Sequence, residues 1–311
     1  MTIHHIHIGI DVSKRYLDIF DPRTGHARIE NTPEAIAAWL DPLETATSFA
    51  VFEATGSYDA ALRTGLQAAG LAFARLNPTQ TRRFAQATGR LAKTDRIDAA
   101  MLADLGTRLQ PGPSASGEPE RERLGELGRR RDQLVDQRTA EKVRKQESGS
   151  ADALVRDSLE AHIAWLDNEI ARLDAAIAAL IAGSEVLKNE AELLLTVPGI
   201  GKVTTTALLA LMPELGHRKP GQIAALAGLA PFNADSGLLK GIRRIQGGRR
   251  RVRRALYMAA VTAARSNSRF KSIYQRLIAA GKPAKVAFIA VARKLLITLN
   301  AIVRDQKPYC P

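Results

Sequence analysis

His4 to Val12 reads HHIHIGIDV. Apolar and polar residues alternate along it, which predicts a β-strand with one face turned to a core. Arg15 to Phe20 and His26 to Asn31 carry two further strand signals. Between them lies Asp21-Pro22-Arg23-Thr24-Gly25, a run of turn formers. Three strands joined this tightly predict an antiparallel meander.

Downstream the pattern alternates. A helix is expected from Pro33, a buried strand at Ser48 to Glu53 (SFAVFE), and a helix at Tyr58 to Ala69. A strand follows at Leu71 to Leu76, then a helical region from Pro78 to about Leu109. The order β-β-β-α-β-α-β-α is that of a ribonuclease H-like α/β fold, a mixed sheet flanked by helices. Pro111 to Glu120 (PGPSASGEPE) reads as a linker.

Beyond the linker the pattern is helical. Leu159, Ile163, Leu166, Ile170, Leu173, Ile177 and Leu180 recur at spacings of four and three, a coiled-coil seam of about three heptads. Arg121 to Gln146 has helical composition with a patchier seam, and Glu147-Ser148-Gly149-Ser150 reads as the tip of a helical hairpin. Such a seam holds helices together, so the hairpin reads as a spacer or oligomerisation arm. From about residue 190 a compact helical domain is expected, with helices near 190–196, 203–212, 221–227, 249–265, 269–280 and 284–305. The expected organisation is therefore 1–110 for the α/β domain, 111–120 for the linker, 121–187 for the coiled-coil region and 188–311 for the C-terminal domain.

The 311 residues hold 45 Lys or Arg against 32 Asp or Glu, a net charge of +13. The excess is not spread evenly. Gly237 to Pro311 has 18 bases and one acid, Asp305, for a net +17, and the rest of the chain sums to −4. A segment this one-sided calls for a polyanion, and nucleic acid is the usual one. The single cysteine, Cys310, rules out a disulfide framework and a cysteine-built zinc site. No N-terminal apolar run reads as a signal peptide. The longest apolar stretch, Val286 to Val303, is broken by Arg293 and Lys294, which argues against a membrane span. The chain reads as a soluble, intracellular, basic protein.

Four acids stand out by position. Asp11 follows the apolar run of the first strand, which would be central in the sheet, and Glu53 ends SFAVFE just before Ala54-Thr55-Gly56. Asp95 and Asp98, three apart in Lys93-Thr94-Asp95-Arg96-Ile97-Asp98-Ala99, share one helix face. Taken singly, a strand-end acid is a turn or cap residue, and an i, i+3 pair is a solvated helix face. If the two strands are neighbours and the helix packs over their ends, the four carboxylates converge and raise one another's pKa. Divalent cations relieve that cost, and two Mg²⁺ about 4 Å apart clamp the attacking and leaving oxygens of a phosphodiester. His5 and His7 share a strand face without further histidine or cysteine partners nearby, so with His4 they read as strand-edge residues.

Together, Gly9-Ile10-Asp11-Val12-Ser13-Lys14, Phe52-Glu53-Ala54-Thr55-Gly56 and the Lys93–Ala99 segment resemble the DEDD transposases of the insertion-sequence family numbered one hundred and ten. That group also holds the DNA invertase Piv. The resemblance extends over essentially the whole chain and implies a RuvC-like first domain, a coiled coil and a C-terminal transposase domain. Two C-terminal segments add to it. Thr196-Val197-Pro198-Gly199-Ile200-Gly201 looks like the hairpin of a helix-hairpin-helix motif, in which Gly199 and Gly201 let backbone N–H groups approach a phosphate. The fragment alone reads equally as a tight turn between helices. The second is Leu226-Ala227-Gly228-Leu229-Ala230-Pro231, then Asp235-Ser236-Gly237, Gly247-Gly248-Arg249 and Arg253. Ser236 occupies the position of the family's nucleophilic serine; without the resemblance, Asp-Ser-Gly is simply a turn.

The resemblance implies a recombinase that cuts and rejoins DNA through a phosphoserine intermediate. Asp11, Glu53, Asp95 and Asp98 would hold Mg²⁺, and Lys240, Arg243, Arg244, Arg249, Arg250, Arg251, Arg253 and Arg254 would neutralise phosphates. Asp235 is a candidate base that nothing in the sequence establishes. The implied partners are double-stranded donor and target DNA, a structured noncoding bridge RNA, and further copies of the chain, since the family's serine and acids meet across subunits of a tetrameric synapse. No membrane partner is expected, and the implied location is the bacterial cytoplasm, on the nucleoid. Arg75, Arg82, Arg83 and Arg90 are further candidate nucleic-acid contacts. Aromatic residues make up 5% of the chain, which favours backbone recognition over base stacking. Two other readings stay open: a RuvC-like junction-resolving endonuclease in which the acids activate water, and a non-catalytic nucleic-acid scaffold.

Overall fold

A computed structural model describes residues 5–56, 58–90, 94–114, 119–148, 152–233, 241, 243–266 and 268–310. The chain divides into two compact units, Met1–Ser116 and Gly117–Pro311.

The first unit is built on β1 (Ile6–Val12), β2 (Tyr16–Asp21), β3 (Gly25–Glu30), α1 (Pro33–Leu40), β4 (Ser48–Glu53), α2 (Ala60–Ala68), β5 (Phe73–Leu76), α3 (Pro78–Ala87) and α4 (Asp95–Leu109). The sheet order is β3-β2-β1-β4-β5. The meander β1-β2-β3 is antiparallel, whereas β1–β4 and β4–β5 are parallel. Side-chain alternation gives this sheet two different faces. Ile8, Ile10, Val12, Leu17, Ile19, Ala50 and Phe52 pack with Ile36, Leu40, Leu62 and Leu66 of α1 and α2. Phe49 and Val51 face the other way, against Met101, Leu102 and Leu105 of α4. By the same parity Asp11, Asp18 and Glu53 lie on the α4 side. SFAVFE has no polar alternation because β4 is covered on both faces.

Two glycines let α4 lie directly on the sheet. A Cβ at Gly9 would stand 2.0 Å from the Ala99 carbonyl oxygen, and one at Gly106 would stand 2.8 Å from both His7 and Val51 side chains. The expected helical region 78–109 is two helices. Gly89 adopts φ +69° after α3, and Thr94 is extended, its Oγ1 accepting the Ile97 N–H at 3.3 Å to cap α4. Ser114, inside the expected linker, is tied to the β5 edge: its N–H donates to the Phe73 carbonyl and its Oγ accepts from the Arg75 N–H.

The second unit comprises α5 (Pro119–Glu147), α6 (Ala153–Ala182), α7 (Glu185–Leu195), α8 (Lys202–Leu211), α9 (Pro220–Leu226), β6 (Pro231–Phe232), β7 (Arg244–Ile245), α10 (Arg250–Ser266), α11 (Ser268–Ala279) and α12 (Ala284–Asp305). Helices α5 and α6 form a hairpin. The seam residues Leu166, Ile170 and Ile177 are buried, and Leu134 of α5 joins Leu166 and Ile170 in one cluster. The α5 seam looks patchy in sequence because its base uses glycines as contact points. Gly128 leaves room for the Arg251 guanidinium, which a Cβ would approach to 2.6 Å. Leu124 and Ile177 at the hairpin base share a single core with α7 to α12. Helix α12 is long and apolar enough to cross a membrane, yet its stripe Val291, Ala292, Leu295, Leu296 and Leu299 lies in the middle of that core. The short β6–β7 pair was not expected from sequence.

Candidate active site

Asp11 is the last residue but one of β1, beside the end of β4, where Ile10 is level with Phe52, so Glu53 is its neighbour on the α4 face. The α4 helix begins over this edge and brings Asp95 and Asp98 in its first turn. The four acids form an electrostatic group. The Asp11 carboxyl is raised to about 6, first by burial and then by the charges of Asp98, Asp95, Asp18 and Glu53. Glu53 accepts the Thr81 hydroxyl at 2.5 Å, which fixes its side chain. Asp95 instead leans toward Arg28, its Oδ2 accepting from Nη2 at 2.9 Å. Among the described residues no three His, Cys, Asp or Glu side chains converge in a ligating geometry. Asp11 thus feels the charges of the other three acids, while Asp95 is engaged by a cation that belongs to the chain.

That cation belongs to a network absent from the sequence expectation. Asp18 lies opposite Asp11 in the β1–β2 register and is 2% exposed. Its carboxylate accepts from Arg28 Nε (3.0 and 3.1 Å) and Nη2 (2.8 Å), and lies 2.8 Å from His26 Nε2. The signal was present in Leu17-Asp18-Ile19, an acid between two apolar residues whose parity matches Asp11. Asp59 is a second missed residue. It is fully buried, pairs with Arg63 (3.2 Å) and Arg75 (2.7 Å), and accepts the Thr55 N–H, so it shapes the turn that follows Glu53. Arg75, expected at nucleic acid, is therefore engaged within the fold, and Arg90 pairs with Asp104 at 3.0 Å. Arg82 and Arg83 are exposed. The rings of His5 and His7 both lie tilted against Phe49; His7 is buried on the central strand β1 rather than at an edge, and burial lowers its pKa. His4 lies outside the described residues.

A hard oxygen donor set of aspartates and a glutamate suits Mg²⁺. A carboxyl held near 6 by burial and, after it, by neighbouring carboxylates has the electrostatic signature of a site that gains from a divalent cation. The residues fit the group.

Two family models match this chain. A DEDD-type model described as Transposase covers residues 8–147, and one described as Transposase IS116/IS110/IS902 family covers residues 191–275. The chain belongs to this transposase family. It is similar to the pilin gene-inverting proteins of Moraxella bovis and Moraxella lacunata, each 28% identical over 97% of both chains. It is also 29% identical, over 56% of its length and 49% of the relative's, to the insertion element IS900 uncharacterized 42 kDa protein of Mycobacterium paratuberculosis. The protein is accordingly a DNA transposase/recombinase, and its partners include DNA.

In the second unit of this transposase the remaining candidates take different roles. Ser236, Asp235 and Lys240 lie outside the described residues. Gly199 has φ +90°, and a Cβ there would stand 2.7 Å from the Ala259 carbonyl and 2.8 Å from Ala263, so its missing side chain serves packing against α10. Gly201, just ahead of α8, has nothing within 4 Å of a Cβ position and leaves the start of that helix open. The arginine block divides. Arg249 makes a two-pronged pair with Glu214 at 2.6 Å, and Arg251 pairs with Asp132 at 2.6 Å. Arg253 donates to the Gly247 carbonyl, and Arg254 reaches Asp136 at 3.3 Å from an exposed position. Arg243, Arg244 and Arg250 are exposed.

Proposed function

We propose that this transposase is a site-specific recombinase that cuts and rejoins DNA through a phosphoserine ester, with Mg²⁺ bound by Asp11, Glu53, Asp95 and Asp98. The observation that supports it most directly is the electrostatic grouping of these acids around Asp11. The sheet topology and the position of α4 support a RuvC-like reading of the first unit, and the seam between α5 and α6 supports a coiled-coil arm.

Two bound Mg²⁺ ions would supply Lewis acidity and neutralise charge at the scissile phosphate. The chain's own residues do the rest. Glu53, fixed by Thr81, and Asp11, fixed by the β1–β4 pairing, present oxygens from adjacent strand ends, while Asp95 and Asp98 present theirs from above. Ser236 attacks phosphorus through Oγ and gives up its proton to a base, for which Asp235 is the candidate. The bond from phosphorus to the leaving sugar oxygen breaks as the ester forms, and that oxygen takes up a proton. The ester conserves the bond energy, so a DNA hydroxyl reverses the step without ATP. Arg243, Arg244, Arg250, Arg253, Arg254 and Lys240, with the open start of α8 at Gly201, fit contacts to the DNA backbone. Arg249 and Arg251 fit a supporting role, since both are engaged by acids.

The family resemblance further supports a structured guide RNA that pairs with donor and target DNA, a composite site shared between subunits of a dimer or tetramer, and work on the bacterial nucleoid. The inversion in the names of the Moraxella relatives agrees with a rejoining chemistry.

Covalent trapping tests the mechanism. Incubation with DNA carrying the element's end should yield a protein–DNA adduct that survives denaturant and disappears in Ser236→Ala. Clean hydrolysis with no adduct would instead establish the alternative, a metal-dependent junction endonuclease that uses water. Sequencing the RNA that accompanies protein purified from its native context tests the guide: one discrete RNA encoded beside the gene supports it, and random cellular RNA refutes it.

A further inference from the structure

Arg28 stands out among the groups that the proposed chemistry does not use. It sits on β3 directly opposite Asp18 in the β2–β3 register. Four constraints hold its guanidinium: Nε and Nη2 on the buried Asp18 carboxylate, Nη2 on Asp95, and the Tyr16 ring, 5.5 Å from Cζ to centroid. A plain structural ion pair would be complete at Asp18. Arg28 goes further, reaching the acid group, and its side chain is still 49% exposed. Its Nη1 makes no hydrogen bond among the described residues.

A guanidinium has five donors in a rigid fork, and a fork gripped on one side offers the other to an anion at little entropic cost. Five carboxylates crowd this edge of the sheet, namely Asp11, Asp18, Glu53, Asp95 and Asp98. They repel a phosphodiester, so a fixed cation beside them has value for bringing one near. Burying Asp18 next to Asp11 is electrostatically unfavourable, as its contribution to the raised Asp11 pKa shows. The fold gains from that burial a guanidinium locked at the rim of the candidate centre.

We propose that Arg28 is a DNA-binding residue that donates through Nη1 to a phosphate oxygen beside the scissile bond, with Asp18, Tyr16 and Asp95 as the cradle that orients it. This rests on the reading of the first unit as the site of phosphodiester chemistry.

The test is a scan with neutral methylphosphonates. Duplexes carrying the element's end, with single phosphates replaced in turn around the cleavage position, are titrated against the full-length protein with whatever nucleic acid co-purifies. The wild type should lose about tenfold in affinity at one or two positions next to the scissile bond, as expected for a charge-assisted contact. Arg28→Gln should bind the unmodified duplex about tenfold more weakly, show no further loss at those positions, and lower the salt slope of binding by about one. Because Arg28→Gln leaves the buried Asp18 with His26 as its remaining side-chain partner, the double variant Asp18→Asn with Arg28→Gln is measured alongside, and it should show the same loss of sensitivity. If both variants keep the wild-type methylphosphonate profile, the assignment of Arg28 is overturned. Cleavage assays with Asp11→Asn separate the two readings. If Asp11→Asn abolishes cleavage while the profile is unchanged, only Arg28's role fails; if Asp11→Asn cleaves normally, the underlying reading of the site fails too.

Discussion

Asp11 and Asp18 face each other across the antiparallel β1–β2 pair on the same side of the sheet, and the fold treats them oppositely. Asp18 is buried and held by Arg28 and His26. The Asp11 carboxyl has no hydrogen-bond or ion-pair partner among the described residues, and burial, then the charges of its neighbours, raise its pKa to about 6. One aspartate supports structure, and the other is left available.

That difference predicts a pH dependence. A carboxyl whose folded pKa is raised from 3.8 to about 6 keeps its proton in the folded state after the unfolded state has lost it. Its stabilising contribution is therefore present below pH 4 and lost as pH rises to about 6, a swing of about 1–2 kcal/mol once solvent screening of this partly exposed group is allowed for. Chemical denaturation in chelator should show wild type losing stability over this window relative to Asp11→Asn, in which the swing is absent. Parallel curves for the two proteins would contradict the assignment.

Gly9→Ala should damage the site without touching an acid. The new Cβ would meet the Ala99 oxygen at 2.0 Å and the Ala103 nitrogen at 2.4 Å, both backbone atoms of α4. The helix must lift, at a cost of about 1–3 kcal/mol or more, and carry Asp95 and Asp98 away from Asp11. Thermal unfolding should report the loss, and Mn²⁺ titration should show weakened binding.

Within the arginine block, two substitutions should diverge. Arg249→Ala leaves Glu214 without its partner; burial favours the protonated form of that carboxyl, but Arg249's hydrogen bonds and charge outweigh it and hold the pKa below the usual range. Stability should fall by about 1–3 kcal/mol. Arg250→Ala, at an exposed position, should leave stability within about 0.5 kcal/mol of wild type. It should instead reduce the salt slope of DNA binding by about one. Denaturation and binding measured on both variants decide the matter.

Leu166→Ala tests the hairpin. Leu166 is fully buried in the α5–α6 cluster with Leu134 and Ile170, and its truncation should cost about 2–5 kcal/mol. The exposed Leu154→Ala should be close to neutral. Equal effects of the two on unfolding would show that the seam carries no special packing.

The strand pattern of HHIHIGIDV and SFAVFE made the sheet legible, because side-chain parity is a local property that no distant residue alters. The spacing of Asp95 and Asp98 was legible for the same reason. The break between α3 and α4 was not, since helical composition runs on through a segment that Gly89 and Thr94 interrupt.

Amino-acid order alone thus determined which faces were apolar, where the acids fell along their strands and helix, and where the positive charge accumulated. Tertiary structure decided which charges are committed. Arg28 meets Asp95 across 67 residues and Arg251 meets Asp132 across 119. An ion pair over such distances is set by how elements pack, and sequence spacing holds no record of it.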